Sequence, residues 1–270
     1  MLKDNRYFLF GGCYSNLQAT QKIKEIATNL GFKKIEIICT GDVVGYCAQP
    51  QETVDLIKNW GIKTIAGNVE IQLRDGALDC GCNFDEGSRC DLFSIAWFPY
   101  AQKQLSAASI DWMKTLPEFL HFEEQGKTIH VLHGGNSNTS EFIFASTPVA
   151  RKLEIFAETK ADIIIAGHCG LPFAQKMEDA KGNEKWWINP GVIGMPANDG
   201  TMRCWYGVLD LADSSFQLHS FEYDHTTASE LMIANKLPKE YAHTLRTGIW
   251  DNCEILPEPE TAAQGLRIVV

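Results

Sequence analysis

Asp42, Asn68, His133 and His168 each follow a short apolar run, within CTGD, IAGN, VLH and IAGH. One carboxylate, one amide and two imidazoles make a mixed oxygen and nitrogen donor set that suits a borderline divalent ion such as Mn²⁺, Fe²⁺ or Zn²⁺. Taken singly, an Asp after glycine reads as a turn residue and a lone histidine as a satisfied core group. Four such residues at four successive run ends read as one site, because ligands of open α/β sheets bind where the loops at the carboxyl ends of the strands converge. Gly12 to Asn16, Glu70 and Asn189 hold comparable positions.

The segments that must position these residues alternate in period. YFLFGG, KKIEIICTGD and IKTIAGN read as strands, and between them LQATQKIKEIATNLG and ETVDLIKNWG read as helices. The first helix presents Leu17, Ile23, Ile26 and Leu30 on one face before Gly31 stops it. Alternation of this kind predicts a parallel sheet with crossover helices, hence an α/β fold. Further along, SAASIDWMKTLP predicts a helix ended by Pro117, TIHVLHGG, ADIIIAGH and KWWINPG predict three more strands, and RCWYGVLDL with SSFQLHSFEY an antiparallel pair. Residues 74–104, rich in Gly, Asp and Cys, read as a loop and short helix over the sheet edge. We divide the chain into a body, 1–225, and a helical, Pro-containing tail, 226–270, which is a candidate oligomer contact. Strand alternation puts Trp186 and Trp187 on opposite faces, so they cannot share one core: one of them stacks on a base or lines a partner surface, or else lies in a second buried layer.

The net charge of −10 with dispersed Lys and Arg argues against a nucleic-acid duplex as partner and makes a small anionic ligand depend on a local metal. No apolar run reaches the roughly 18 residues of a membrane span, and MLKDNRYFLF lacks the layout of a secretory signal, so a cytoplasmic protein without membrane contact is expected. Nine cysteines, an odd number, then read as free thiols, metal ligands or redox groups rather than a disulfide framework, with Cys39 a small core residue.

CTGDVVGY, IAGNVE, VLHGG, AGHCGLPF and INPGVIGMPANDG, in this order, resemble the blocks of calcineurin-like metallophosphoesterases, and among them the small bacterial phosphoesterases related to diadenosine tetraphosphatases. The resemblance runs from about Tyr7 to Leu211. It implies a four-layer αββα sandwich of two mixed β-sheets flanked by helices, a dinuclear metal cleft, and hydrolysis of a phosphomonoester or phosphodiester by metal-activated water. Within it, Asp42 matches the carboxylate shared by both metals, and Asn68, His133 and His168 match ligands of the second metal. The first-metal block D-x-H-G-N reads Gly12-Cys13-Tyr14-Ser15-Asn16 here, and the remaining first-metal histidine falls on Gly170. The family's acid histidine falls on Val69.

The expectation is therefore at least one divalent transition ion, Mn, Fe or Zn, held by Asp42, Asn68, His133 and His168. Cys13 and Cys169, inside the altered blocks, are candidate additional ligands, and Tyr14 is a candidate donor or acid in place of the missing histidines. Asn16 and Arg203 are candidate phosphate contacts, and Asn189 to Gly200 a loop closing the site. The function expected is hydrolysis of a small phosphorylated molecule or nucleotide at an altered or single-metal centre. The alternative is a catalytically silent protein that binds such a ligand in the same cleft.

Overall fold

The computed structural model describes residues 5–82 and 84–269. One sheet runs in the order β10 (Ser215–Phe221), β9 (Cys204–Asp210), β1 (Arg6–Phe10), β2 (Ile37–Cys39), β3 (Lys63–Thr64). The other runs β4 (Leu120–Glu124), β5 (Lys127–Val131), β6 (Ile163–Ile165), β8 (Glu184–Asn189), β7 (Phe173–Glu178). Both are mixed. β1, β2 and β3 pair in parallel, as do β5, β6 and β8, while β9, β10, β4 and β7 complete the sheets by antiparallel pairing.

Side-chain alternation explains why the two sheets stack. In β1, Tyr7 and Leu9 join Ile38, Val131, Ile165 and Ile188 in a core between the sheets, whereas Phe8 and Phe10 face α1 (Leu17–Asn29) and α2 (Pro50–Trp60). β6 divides likewise: Ile163 and Ile165 point between the sheets, and Ile164 points toward Ile155 and Phe156 of α6 (Val149–Thr159). Each such buried aliphatic side chain stabilises the fold by about 1.5–3 kcal/mol.

This layering decides between the two readings of the tryptophans in favour of a second buried layer. Trp186 enters the core between the sheets and Trp187 the core under α6, so both are buried, because β8 is covered on both faces. On α1 the buried face is Ala19, Ile23 and Ala27, and Leu30 is exposed because it caps the helix end instead of continuing the stripe. Residues 74–104 hold the end of α3 (Asn68–Asp75), a loop, and the sixteen-residue α4 (Arg89–Gln104), which buries Trp97 and Phe98. This is a longer helix than the sequence implied. α5 (Ala107–Thr115) follows as expected.

The tail forms α7 (His225–Ala234), α8 (Lys239–Thr247) and α9 (Glu258–Ala262). Met232, Leu237 and Leu245 join the cluster that contains Phe8 and Phe10, so these tail residues are buried against the body, while Ile233, Leu266 and Val269 stay exposed. Among the described residues no helix is long and apolar enough to cross a membrane.

Candidate metal centre

Four loops carry the expected ligands to one point. Asp42 follows β2, Asn68 opens α3, His133 lies two residues past β5, and His168 three past β6. All four are buried. His133 Nε2 is 3.1 Å from Asn68 Oδ1, 3.2 Å from His168 Nδ1 and 3.2 Å from Asp42 Oδ2. Donor atoms of Asp42, His133 and His168 all lie within 4.8 Å of one another.

The hydrogen bonds around this cluster fix what it can hold. His133 Nδ1 sits 2.7 Å from the carbonyl oxygen of Thr40, which only accepts, so Nδ1 carries the proton and Nε2 presents a lone pair. Asn68 Nδ2 donates to Cys80 O at 2.9 Å and Cys82 Sγ at 3.3 Å, which turns Oδ1 toward His133. A lone pair facing an amide oxygen and a carboxylate is repulsive unless a metal ion or a proton lies among them. Ligands about 2.1 Å from a common ion stand roughly 3.0–3.4 Å apart, so the observed spacing fits a transition metal.

Electrostatics agree with the donor assignment. Burial and the neighbouring His133 drive His168 down to about 3, leaving it the neutral imidazole that a metal needs. For His133, burial pulls downward, but the Asp42 carboxylate, the Thr40 carbonyl and Glu70 together leave it above its ordinary value. Glu70, fully buried, accepts from the backbone N–H of Asp42 at 2.8 Å, Gly67 at 2.9 Å and Val44 at 3.0 Å. It therefore ties the Asp42 loop to the start of α3. Burial and Asp42 push its carboxyl up to about 7. Tyr14, Ser15, Asp42 and His168 all hold positive φ, between 50° and 60°, an arrangement that costs about 1–3 kcal/mol each and clusters at functional sites.

The positions that lack first-metal ligands are filled. A Cβ on Gly12 would fall 2.5 Å from Val192 Cγ1 and 2.8 Å from the Tyr14 ring. Tyr14 itself occupies a niche made by Gly12, Gly45 and Gly194, at each of which an added Cβ would come within 2.8 Å of it. A Cβ on Gly170 would meet the Trp250 indole at 3.3 Å. Trp250 is held by its Nε1–H on Pro196 O at 2.8 Å and its backbone N–H on Asn198 Oδ1 at 2.7 Å.

Several expected residues take other roles. Asn16 caps α1, accepting from Ala19 N, and donates to Gly194 O and to the Tyr223 hydroxyl, each at 3.0 Å; it is satisfied inside the protein and does not reach a ligand. Cys13 points into the helix-side core beside Cys39, away from the cluster. Cys169 borders the cavity; its Sγ accepts from Asn189 Nδ2 at 3.1 Å and faces Leu171 O at 3.7 Å, and burial pushes the thiol up to about 12. Arg203 bonds Asp199, Thr201 and Ile268 O and covers the Trp205 ring, tethering the tail instead of a phosphate. From the Asn189–Gly200 stretch, Val192 and Met195 do line the cavity beside Tyr14.

Cys80 and Cys82 are disulfide-bonded and the other seven cysteines are free, one bonded pair among free thiols in place of a disulfide framework. The positioning roles of Thr40, Glu70 and the Cys80–Cys82 turn, and the wall formed by Trp250, were not foreseen. Only Glu70, three residues into a helix that opens on a ligand, carried a signal, that of a capping residue.

A cavity adjoins the cluster, lined by Tyr14, Asp42 and His168 on one side and by Tyr241, Trp250 and Ile255 of the tail on the other. With this geometry in view, residues 15–214 match the family model described as the calcineurin-like phosphoesterase superfamily domain. An uncharacterised protein of Methanocaldococcus jannaschii is 27% identical over 247 residues, 87% of this chain and 95% of that protein. The fold is similar to the crystal structures of a metallophosphoesterase from Sphaerobacter thermophilus, with TM-score 0.70 and 22% identity over 90% of this chain and 99% of that one. A hypothetical protein from Pyrococcus horikoshii superposes with TM-score 0.71 and 17% identity over 91% of this chain and 99% of its own.

Proposed function

This chain belongs to the calcineurin-like phosphoesterase superfamily, and from that premise we propose that it hydrolyses a small phosphoric ester at a single-metal centre. The observation that carries the reading is the convergence of Asp42 Oδ2, Asn68 Oδ1 and His168 Nδ1 on the His133 Nε2 lone pair. These four residues hold one divalent transition ion, Mn, Fe or Zn. When bound, such an ion supplies Lewis acidity to a phosphoryl oxygen and lowers the pKa of water.

The chain's own groups supply the rest. Thr40 O fixes the tautomer and direction of His133, an outer contact that also raises its basicity as a ligand. Glu70 fixes the backbone of Asp42, and the Cys80–Cys82 turn fixes the amide of Asn68. With Val69 in place of an acid histidine, we assign Tyr14 the leaving-oxygen contact: it lines the cavity, and burial, Tyr46 and Asp42 keep its hydroxyl protonated as a hydrogen-bond donor. One ion is expected because Val192, Tyr14 and Trp250 fill the space beside Gly12 and Gly170.

The test is elemental analysis of the purified protein together with hydrolysis of a chromogenic phosphodiester and phosphomonoester. One ion per chain with metal-dependent turnover is the expected result. Metal without turnover of any ester would leave the silent binding protein; no bound metal would sink the centre itself.

A further inference from the structure

The cavity beside the metal cluster has a charge pattern that restricts what can enter it. Among the described residues lining it there is no Lys or Arg; its acidic members are Asp42 and Asp251, and most of the remainder is aromatic, aliphatic or sulfur-bearing. Arg89 stands outside that lining, its charge paired with Asp251 and, at 4.0 Å, with Glu240. Tyr14, Tyr46 and Tyr241 stay neutral, burial being the first cause in each, so they offer hydrogen bonds but no positive charge.

Resting on the single-ion reading above, we propose that this site selects a singly charged phosphodiester bearing a flat apolar substituent, and discriminates against phosphomonoester dianions and polyphosphates. A divalent ion with Asp42 leaves a net charge of at most one positive unit, which one phosphodiester anion neutralises. A second negative charge would have to be desolvated against apolar walls with no counter-charge, and burial of an unpaired charge is the costliest event a cavity can impose. A dinuclear centre would supply that counter-charge, but Tyr14, Val192 and Trp250 fill the space beside Gly12 and Gly170. An apolar substituent instead meets the half-buried aromatic side chains of Phe84, Tyr241 and Trp250 in the same lining, which suit offset or edge-on ring contact.

Calorimetric titration of the Mn²⁺-loaded protein tests this without turnover, using phenylphosphonate, its monomethyl ester, the ring-less monomethyl ester of methylphosphonate, and pyrophosphate. The phenylphosphonate monoester should bind at least about tenfold tighter than doubly charged phenylphosphonate, and tighter than the ring-less ester. Phe84→Ala should remove the ring preference. Ile255→Lys, which puts a cation on the cavity wall, should narrow or invert the charge preference. Equal or tighter binding of phenylphosphonate or pyrophosphate by the unaltered protein, or no binding of any probe, overturns the inference. Charge-selective binding in a protein that hydrolyses nothing would overturn only the proposed function, and hydrolysis with a preference for the doubly charged ligand would overturn only this inference.

Discussion

Gly170 and Trp250 are matched: a Cβ on the glycine would stand 3.3 Å from the indole, which is itself held by hydrogen bonds to Pro196 and Asn198. The family's remaining first-metal ligand would have to emerge at that point. Restoring the other first-site positions alone, Gly12→Asp with Tyr14→His, should therefore leave one ion per chain. It should also lower stability, because Gly12 has φ +48° and a Cβ there meets Val192 at 2.5 Å; overpacking of this kind costs about 1–3 kcal/mol. Two tightly held ions by elemental analysis would contradict the argument. Adding Gly170→His with Trp250→Ala opens the space and is the combination expected to begin recovering a second ion.

His133 stands at the centre of the donor set, so His133→Ala should weaken metal binding by more than about 100-fold, and His168→Ala by a similar factor. Chelator competition measures both, and unchanged metal content in both variants would sink the site. A His133→Gln variant tests whether the loss is specific, since Gln fills most of the volume without reproducing a lone pair directed by Thr40.

The four residues of the cluster were legible because each follows a short apolar run closely, and strand ends in such sheets converge. The loops that aim them were not legible, since the bonds from Glu70 to Asp42 and from Asn68 to Cys80 join residues whose relative position depends on the whole fold. β4 and β7 escaped notice because they are the edges of their sheet, half exposed and charged, as LHFEE and FAQKME. Trp186 and Trp187 left two readings open because alternation assigns faces but cannot say whether both faces are covered. Arg203 looked like a phosphate contact from its place after the glycine loop; its partners Asp199 and Ile268 come from that loop and the distant tail.

Metal affinity should fall with acid. The His133 pKa lies above its ordinary value, so as pH drops through and below neutrality a proton takes the Nε2 position that the ion requires. Apparent affinity should then decline by up to about tenfold per pH unit below the His133 pKa, measured by chelator competition in buffers of constant ionic strength. His168 adds nothing to this slope above about pH 3, where it is already neutral. In the metal-free protein it acts on stability instead: its folded pKa lies below the usual 6.5, so its contribution is present above about 6.5 and is lost as pH falls from there toward about 3. Affinity independent of pH over this range would place the proton elsewhere.

Glu70 accepts three backbone N–H groups with two oxygens, and Gln can offer only one. Glu70→Gln should therefore strand at least one buried donor and cost about 1–3 kcal/mol in denaturant unfolding of the metal-free protein. Metal affinity should fall as well, because the Asp42 backbone loses its anchor. A variant as stable and as metal-competent as the wild type would reduce Glu70 to a passive buried group.

The Cys80–Cys82 turn supports the fourth ligand from behind. Asn68 Nδ2 donates both to Cys80 O and to Cys82 Sγ, and Gly81 N–H is fixed on Asp79 Oδ1 at 2.8 Å, so the turn decides which end of the Asn68 amide faces His133. Replacing both cysteines with serine removes the covalent closure and the sulfur acceptor but leaves the Cys80 carbonyl. The expected loss in metal affinity is accordingly near the lower end of the range for outer contacts of a metal site, about tenfold. Asn68→Ala, which removes the ligand oxygen itself, should cost clearly more. If the serine pair weakens binding as much as Asn68→Ala does, the turn holds the site as a whole rather than one amide; if it has no effect, the Cys80 carbonyl alone is sufficient to orient Asn68.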